Sequence, residues 1–275
     1  MLHFLTTLVQ AETPLGSALG EIGEMARYRG LIVNLVSRDL KVRYKRSALG
    51  FLWTMLSPLL MMVVTTVVFA NLFRFAIHNF AVYFLSAFLL WTFFSQSSMA
   101  GMNVMLGYAG IMRRVYVPKS IFVLSAVLSG LINFGLALLV LLPIMLIMRQ
   151  PLTLNLLWLP VPLLAATLFT LGLSLLIAAL GIFFADVGPM YQIVLTAWMY
   201  LTPIMYPLEI VPPTYLPLVY ANPMYYITET FRAPLYYGTP PDPLFVLYSY
   251  LSALVALGVG WWVFSRGIDR FVYYL

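Results

Sequence analysis

Residues 38–60, RDLKVRYKRSALGFLWTMLSPLL, decide what kind of fold the chain can adopt. The first nine residues of this stretch contain five positive charges, on Arg38, Lys41, Arg43, Lys45 and Arg46. From Phe51 onward the sequence is almost entirely apolar. A basic cluster directly before an apolar run is typical of the cytoplasmic end of a membrane-spanning helix. The cluster either only orients this helix at an anionic lipid surface, or also binds an anionic substrate.

The composition of the whole chain supports a membrane location. Of its 275 residues, 63% are hydrophobic and 9% are charged, whereas soluble domains have about 25% charged residues. The absence of cysteine excludes disulfides and thiolate metal sites. The two histidines, His3 and His78, lie too far apart for a local zinc motif. We therefore expect a single membrane domain over residues 1–275 that binds no metal or cofactor of its own.

Six segments are apolar and long enough to cross a bilayer, whose core of about 30 Å requires roughly 20 helical residues. They are residues 49–73, 80–105, 120–148, 156–184, 187–208 and 244–265. No alternation typical of a membrane β-barrel is present, so the spans are expected to be helical. The sequence thus predicts an all-α membrane protein with six transmembrane helices. This bundle, residues 49–265, lies between a cytoplasmic segment, 1–48, and a cytoplasmic tail, 266–275.

The distribution of lysine and arginine between the loops gives the orientation, because these residues accumulate on the cytoplasmic side. Twelve of the fifteen fall on one side: Arg27, Arg29, Arg38, Lys41, Arg43, Lys45, Arg46, Arg113, Arg114, Lys119, Arg266 and Arg270. The remaining three fall on the other: Arg74, Arg149 and Arg232. Both termini are therefore expected to be cytoplasmic.

Residues 22–46 are predicted to form an amphipathic helix that lies in the membrane interface. At about 100° per residue, one arc of this helix is apolar: Tyr28, Leu31, Ile32, Leu35, Val36 and Val42. The other arc is polar and basic: Arg27, Asn34, Ser37, Arg38, Lys41 and Lys45. Charges recur too often for a span, and the pattern is typical of an interfacial helix with its basic face in the cytosol. Arg43 and Arg46 lie off this basic face.

Residues 203–243 combine ten of the eighteen prolines with many tyrosines. So much proline excludes one continuous helix, while the apolar, aromatic content is unlike a solvated loop. Short broken helices that re-enter the outer leaflet fit both properties, with tyrosines at the depth of the lipid headgroups. Within them, Glu229 and Arg232 are expected on neighbouring positions of one helix. Ahead of this region, Asp186 is placed to cap the N-terminus of the fifth span.

The sequence lacks the motifs of an enzyme or of a self-powered transporter. There is no phosphate-binding glycine-rich loop, no H-E-x-x-H, no G-x-S-x-G and no cluster of carboxylates. No acidic residue sits in the middle of a predicted span, where it would indicate an ion or proton relay. We therefore expect a transport subunit rather than an enzyme, with energy supplied by a partner.

Four segments resemble the permease subunit of type-2 ABC exporters of lipid-linked polysaccharide, the O-antigen, capsule and teichoic acid group. They are residues 38–60, RRVYVPKSIF (113–122), FFADVGPMYQIVLTAWMYLTPIMYP (183–207) and ANPMYYITETFR (221–232). The resemblance covers most of the chain from about residue 30. One position departs from it, because Ala185 stands where the family commonly has a basic residue.

This resemblance implies a homodimer in the bacterial inner membrane that binds two copies of a cytoplasmic ATPase, which carries the ATP and Mg. It also implies a path for an undecaprenyl-pyrophosphate-linked glycan, with Leu49 and Gly50 where this substrate enters. Arg43 and Arg46 lie next to that loop and are candidates to contact its phosphates. Three aromatic residues are candidates to line the path: Trp53, Phe88 and Trp91.

The resemblance also assigns surfaces to the two ends of the bundle. The N-terminal helix and the segment after the second span are expected to contact the ATPase through Arg38, Lys41, Tyr108, Arg113, Arg114, Tyr116 and Pro118. The broken helices are expected to close the external side, with three candidate residues: Tyr225, Glu229 and Arg232. Each group also has a purely structural explanation. The basic residues could serve only to attract anionic lipid, and the aromatic residues could form lipid belts or pack between helices. Glu229 and Arg232 could form an internal ion pair.

Two other functions remain open on the sequence alone. A type-2 ABC permease for a drug or a small lipid-like molecule would have the same architecture. A membrane-embedded glycosyl or acyl transferase would need a polar catalytic cluster near an interface, and none is visible.

Overall fold

The computed structural model describes residues 27–45, 50, 52–72, 77–108, 110 and 117–274, and all regular structure in these residues is helical. They form nine α-helices: α1 Arg29–Tyr44, α2 Leu52–Thr65, α3 Phe80–Gly107, α4 Ser120–Ile147, α5 Pro160–Phe183, α6 Val187–Leu201, α7 Leu216–Tyr220, α8 Pro223–Arg232 and α9 Pro243–Tyr274. Wider π-helical turns continue α2 over Thr66–Leu72 and α8 over Ala233–Tyr237. Short 3-10 turns cover Leu154–Trp158 and Leu208–Ile210.

Five helical segments among the described residues are long and apolar enough to cross a membrane. They are Leu52–Phe69, Phe80–Met105, Ser120–Ile147, Leu154–Phe183 and Pro243–Gly267. These segments confirm the first four predicted spans and the last one.

The predicted fifth span, residues 187–208, is wrong in its length. Its helix, α6, ends at Leu201 because Thr202 adopts an extended conformation (φ −99°, ψ 130°) directly before Pro203. A residue that precedes proline is driven away from the α conformation. At about 1.5 Å per residue, α6 is about 22 Å long, which is shorter than the apolar core of about 30 Å.

The helix pair α5 and α9 is the most extensive contact of the bundle, and glycines allow it. A Cβ atom placed on Gly260 would lie 1.9 Å from the carbonyl oxygen of Gly172, and one on Gly172 would lie 2.4 Å from the carbonyl carbon of Ala256. The two backbones therefore touch directly. Small residues at such crossings are the usual basis of helix association in membranes, where apolar burial alone gives little driving force.

The predicted N-terminal helix is present as α1, and its apolar arc packs on protein, while its place in the membrane interface stays a prediction. Leu35 and Val36 are buried, and α1 lies against α4. The polar arc is exposed, including Arg38 and Lys41. Val42 departs from the prediction, because it is 60% exposed. Its neighbours 41 and 43 are exposed as well, so the packed part of α1 ends before this last turn.

Short helices interrupted by prolines lie between α6 and α9, as predicted, while their re-entry into the membrane stays a prediction. Asn222 joins this region to the bundle, because its Oδ1 atom accepts hydrogen bonds from the backbone N–H of Met224 (3.0 Å) and from the Trp198 indole (2.7 Å). The first of these bonds caps α8, which has Pro223 in its first turn. Trp198 itself packs edge-on against Phe94, with ring centroids 5.4 Å apart.

Candidate functional site

A cavity of about 530 Å³, which we call the arginine cavity, lies beside α3 and contacts the C-terminal turn of α1. Five residues named from the sequence line it: Arg43, Gly50, Trp53, Phe88 and Trp91. They come from α1, from the turn before α2, from α2 and from α3. The structure therefore brings together the basic, loop and aromatic candidates for substrate contact, although they are separated along the chain.

Polar side chains that the sequence reasoning missed also line the arginine cavity, among a larger number of apolar ones. Its polar lining includes Thr54, Ser57, Thr92, Ser95, Gln96, Ser97 and Asn133. Thr92, Ser95 and Gln96 follow the three- and four-residue spacing of one helix face, which is a signal the sequence did contain. Arg43 is the one charged side chain among the described lining residues, and it forms no ion pair with another described residue. The cavity can thus accept an anionic group at one end and a polyol along its aromatic and hydroxyl walls.

Gly50 has a backbone conformation that explains its residue type. Its φ angle is +52°, in the left-handed region that glycine adopts at little cost. Arg46 and Leu49, the other two residues proposed to meet the substrate here, lie outside the described residues.

Two of the residues predicted to contact an ATPase contact each other. The guanidinium of Arg38 lies over the ring of Tyr108, 5.0 Å from its centroid, and this ring is 5.1 Å from that of Phe122. The contact joins α1 to the end of α3 and to α4. Lys41 is exposed and Pro118 is partly exposed. The other three, Arg113, Arg114 and Tyr116, lie outside the described residues.

Glu229 and Arg232 form the predicted ion pair, between Nη1 of Arg232 and Oε1 of Glu229. The guanidinium is completely buried, its Nη2 atom donates to the carbonyl oxygen of Pro203 (3.0 Å), and its central carbon lies 3.7 Å from the Tyr83 ring centroid. Burial alone would lower the pKa of Arg232, but the Glu229 carboxylate, Tyr83 and Tyr237 together outweigh it and keep this pKa above its usual value. The pair therefore fixes α8 against α3 and against the residues that follow α6.

A second cavity, of about 740 Å³, lies at the N-terminal end of α3, and we call it the tyrosine cavity. Its aromatic lining consists of Tyr83, Tyr225, Tyr236 and Tyr237, and its ionisable lining of His78, Glu209 and Glu229. Two predicted residues of the external side, Tyr225 and Glu229, belong to it, and Arg232 lies behind it. Burial and the Glu229 carboxylate raise the pKa of both Tyr225 and Tyr237. These phenols therefore stay protonated at physiological pH and act as neutral groups.

The predicted cap at Asp186 is wrong. Asp186 occupies the N-cap position of α6, but its side chain makes no capping hydrogen bond. An N-cap residue usually has an extended backbone that aims its side chain at the first free N–H groups. Asp186 instead has φ −76° and ψ −11°, an α-helical conformation, and is exposed.

Comparison with known proteins gives the class to which this architecture belongs. The family described as "ABC-2 type transporter" matches residues 30–236. The chain is 33% identical over 230 residues to the O-antigen export system permease protein RfbA of Myxococcus xanthus. The aligned region covers 82% of this chain and 88% of the relative. The chain therefore belongs to the ABC-2 type transporter family.

Two further relatives show how far this similarity extends. The Klebsiella pneumoniae O-antigen export system permease protein RfbA is 26% identical over 230 residues, covering 83% of this chain and 86% of that protein. The Escherichia coli polysialic acid transport protein KpsM is 22% identical over 229 residues, covering 82% and 89% respectively.

Proposed function

We propose that this chain is the membrane-spanning subunit of an ATP-driven exporter of polysaccharide. Its near full-length relatives are named as O-antigen export permeases and a polysialic acid transport protein. The observation that carries the proposal is the arginine cavity, which combines an exposed guanidinium with aromatic and hydroxyl side chains. This combination suits a substrate with a phosphate at one end and sugar rings at the other.

The substrate that fits this cavity is a glycan linked to undecaprenyl pyrophosphate. Arg43 can donate two parallel hydrogen bonds to a phosphate, a geometry that guanidinium groups favour. The exposed ring of Trp53 offers an apolar face on which sugar rings can slide, and Trp91 forms part of the buried wall behind it. Gly50 lines the same cavity next to Trp53 and Thr54, which places the turn before α2 beside the substrate.

The energy comes from a separate ATPase, of which two copies bind a homodimer of this chain and hold the ATP and Mg. The exposed basic face of α1 provides a contact surface for the ATPase. Because Arg38 contacts Tyr108, a movement of α1 caused by the ATPase would also move the end of α3. The membrane subunit is a transport component that takes no part in hydrolysis. Its single domain spans residues 1–275.

We place both termini in the cytoplasm of a bacterium, with the chain in the inner membrane. Five crossings alone would put α1 and the end of α9 on opposite sides, although both carry arginines, such as Arg38 and Arg266. Lysine and arginine accumulate on the cytoplasmic side, which favours a sixth crossing. The sixth crossing is made by α6 together with the buried residues that directly follow it, and the broken helices after them re-enter the outer leaflet.

Arg43→Ala is the variant that tests this function. In a host that lacks the natural chain, the wild-type chain should restore surface polysaccharide, and Arg43→Ala should restore it at a rate lower by about tenfold or more, since a hydrogen bond to a charged group contributes about 1.5–3 kcal/mol. The readout is the amount of surface polysaccharide per cell, with the level of membrane-inserted chain measured in parallel.

Arg29→Ala is the matched control, because Arg29 is an exposed arginine at the other end of α1 that does not line the cavity. It should restore surface polysaccharide as the wild type does. If Arg43→Ala restored surface polysaccharide fully, Arg43 would not be the residue that binds the phosphate. Unchanged surface polysaccharide after loss of the chain would contradict polysaccharide export and favour a drug or a small lipid-like substrate.

A further inference from the structure

We propose that the tyrosine cavity is a second substrate site, which binds uncharged sugar rings of the exported polysaccharide at the external end of the bundle. This inference rests on the proposed function. The tyrosine cavity shares no described lining residue with the arginine cavity. The two lie at different levels of α3, one around Tyr83 near its first residue and the other along Phe88 to Ala100.

The cavity offers aromatic surface at one end. Tyr237 is 51% exposed, and its ring packs edge-on against that of Tyr236, with centroids 5.0 Å apart. The apolar C–H face of a pyranose ring can stack on such a tyrosine. Tyr83 provides the floor rather than a stacking surface, because it is only 5% exposed and the Arg232 guanidinium covers one of its faces.

Hydrogen-bonding groups face the same space. Tyr225 is 6% exposed and lines the cavity, yet its hydroxyl makes no hydrogen bond to a described residue. This hydroxyl is therefore available to donate a hydrogen bond to, or accept one from, a sugar hydroxyl in the cavity. Glu209 is exposed and forms no ion pair within the described chain. A carboxylate of this kind accepts hydrogen bonds from adjacent sugar hydroxyls.

The charge of the cavity selects the sugar portion of the substrate over the phosphate portion. None of the described residues that line it is lysine or arginine. Arg232 lies behind the wall, with its guanidinium bound to Glu229, to the Pro203 carbonyl and to the Tyr83 ring. The Glu209 carboxylate, which forms no ion pair within the described chain, repels a phosphate, whereas the charge of Glu229 is balanced by Arg232. The pyrophosphate is therefore bound near Arg43, and the neutral rings are bound here.

Aromatic rings with carboxylates also suit an organic cation, so the test separates the two ligand classes. The complex with its ATPase is placed in nanodiscs. The probe is the surface polysaccharide of the same host, freed of lipid by mild acid and labelled with a fluorophore. Binding is measured by fluorescence polarisation. We expect saturable binding that is unaffected by tetramethylammonium, whereas displacement by tetramethylammonium would overturn the proposal.

Variants locate the binding site. Glu209→Gln and Tyr237→Ala should each weaken probe binding by about tenfold, in keeping with the loss of one charged hydrogen bond or one stacked ring. Tyr237→Phe, which keeps the ring but loses the hydrogen bond from its hydroxyl to Glu229 (3.3 Å), should bind nearly as tightly as the wild type. The control is Tyr215→Ala, because Tyr215 is 58% exposed in the same region but outside the cavity.

Each result has a defined meaning. Wild-type affinity in both Glu209→Gln and Tyr237→Ala would overturn the second site, as would the absence of saturable binding by the wild-type complex. The Arg43→Ala variant should bind the lipid-free probe normally while it exports poorly, which separates the two cavities. A failure of the proposed function itself would be seen in a different experiment. In that case, the amount of surface polysaccharide would be the same with and without the chain.

Discussion

Gly260→Leu is expected to prevent assembly of the bundle, because a side chain at this position would have to displace the backbone of α5. The Cβ alone would lie 1.9 Å from the Gly172 carbonyl oxygen, and backbone in a packed helix pair cannot move aside as a flexible side chain can. Insertion of a larger residue into a well-packed site costs about 3 kcal/mol or more in such a case. The expected result is loss of the monodisperse peak in detergent and rapid proteolysis.

Gly258→Leu is the control for this prediction. Gly258 lies on the same helix and is exposed, and no atom of another described helix lies within 4 Å of its Cβ position. This variant should elute and resist protease as the wild type does, because it makes the same change in composition without the backbone overlap. A Gly260→Leu protein as stable as Gly258→Leu would show that α5 and α9 do not cross through their glycines.

Arg232→Ala is expected to destabilise the protein by about 3–5 kcal/mol, since it leaves the Glu229 carboxylate without its partner in a largely buried site. Only 15% of the Glu229 side chain is exposed, so water cannot replace the guanidinium fully. The variant also removes the hydrogen bond to the Pro203 carbonyl and uncovers Tyr83. Thermal unfolding in detergent should show a clearly lower midpoint.

The double variant Arg232→Met/Glu229→Leu is the informative comparison for this pair. Replacement of both partners by apolar residues of similar size is often nearly neutral, so the double variant should be more stable than Arg232→Ala. If Arg232→Ala unfolds at the wild-type temperature, the buried pair does not hold α8 in place.

The spans could be predicted from sequence because hydrophobic length is a local property. The end of α6 could have been predicted from local sequence as well, because Thr202 directly precedes Pro203. A residue before proline is disfavoured in the helical conformation. The apolar arc of α1 was predicted correctly through Leu35 and Val36, whereas the exposure of Val42 depends on where the packing of α1 on the bundle ends.

The sites were less predictable, because they depend on contacts between distant segments. The arginine cavity was anticipated in part, since the family resemblance placed Gly50 at the substrate entry and Arg43 lies next to that loop. The aromatic candidates do line the same space. The stacking of Arg232 on Tyr83 joins two helices far apart in the chain, and no local pattern indicates it. The wall position of Glu209 depends in the same way on how the proline-rich segment folds back.

The two cavities suggest a division of labour along the bundle. One has an exposed guanidinium and suits the charged end of the substrate, whereas the other has carboxylates and tyrosines and suits its neutral rings. A substrate that must leave cannot be held tightly at any one place, so two different moderate sites serve export better than one strong site.

The most direct test of ATP-driven polysaccharide export is the ATPase activity of the purified complex. The chain is isolated with its ATPase, placed in nanodiscs, and supplied either with lipid-linked polysaccharide or with the undecaprenyl pyrophosphate carrier alone. The account predicts that the ATPase co-purifies and that ATP hydrolysis rises several-fold with the lipid-linked polysaccharide and less with the bare carrier. Absence of a co-purifying ATPase, or a hydrolysis rate that responds to neither compound, would contradict it.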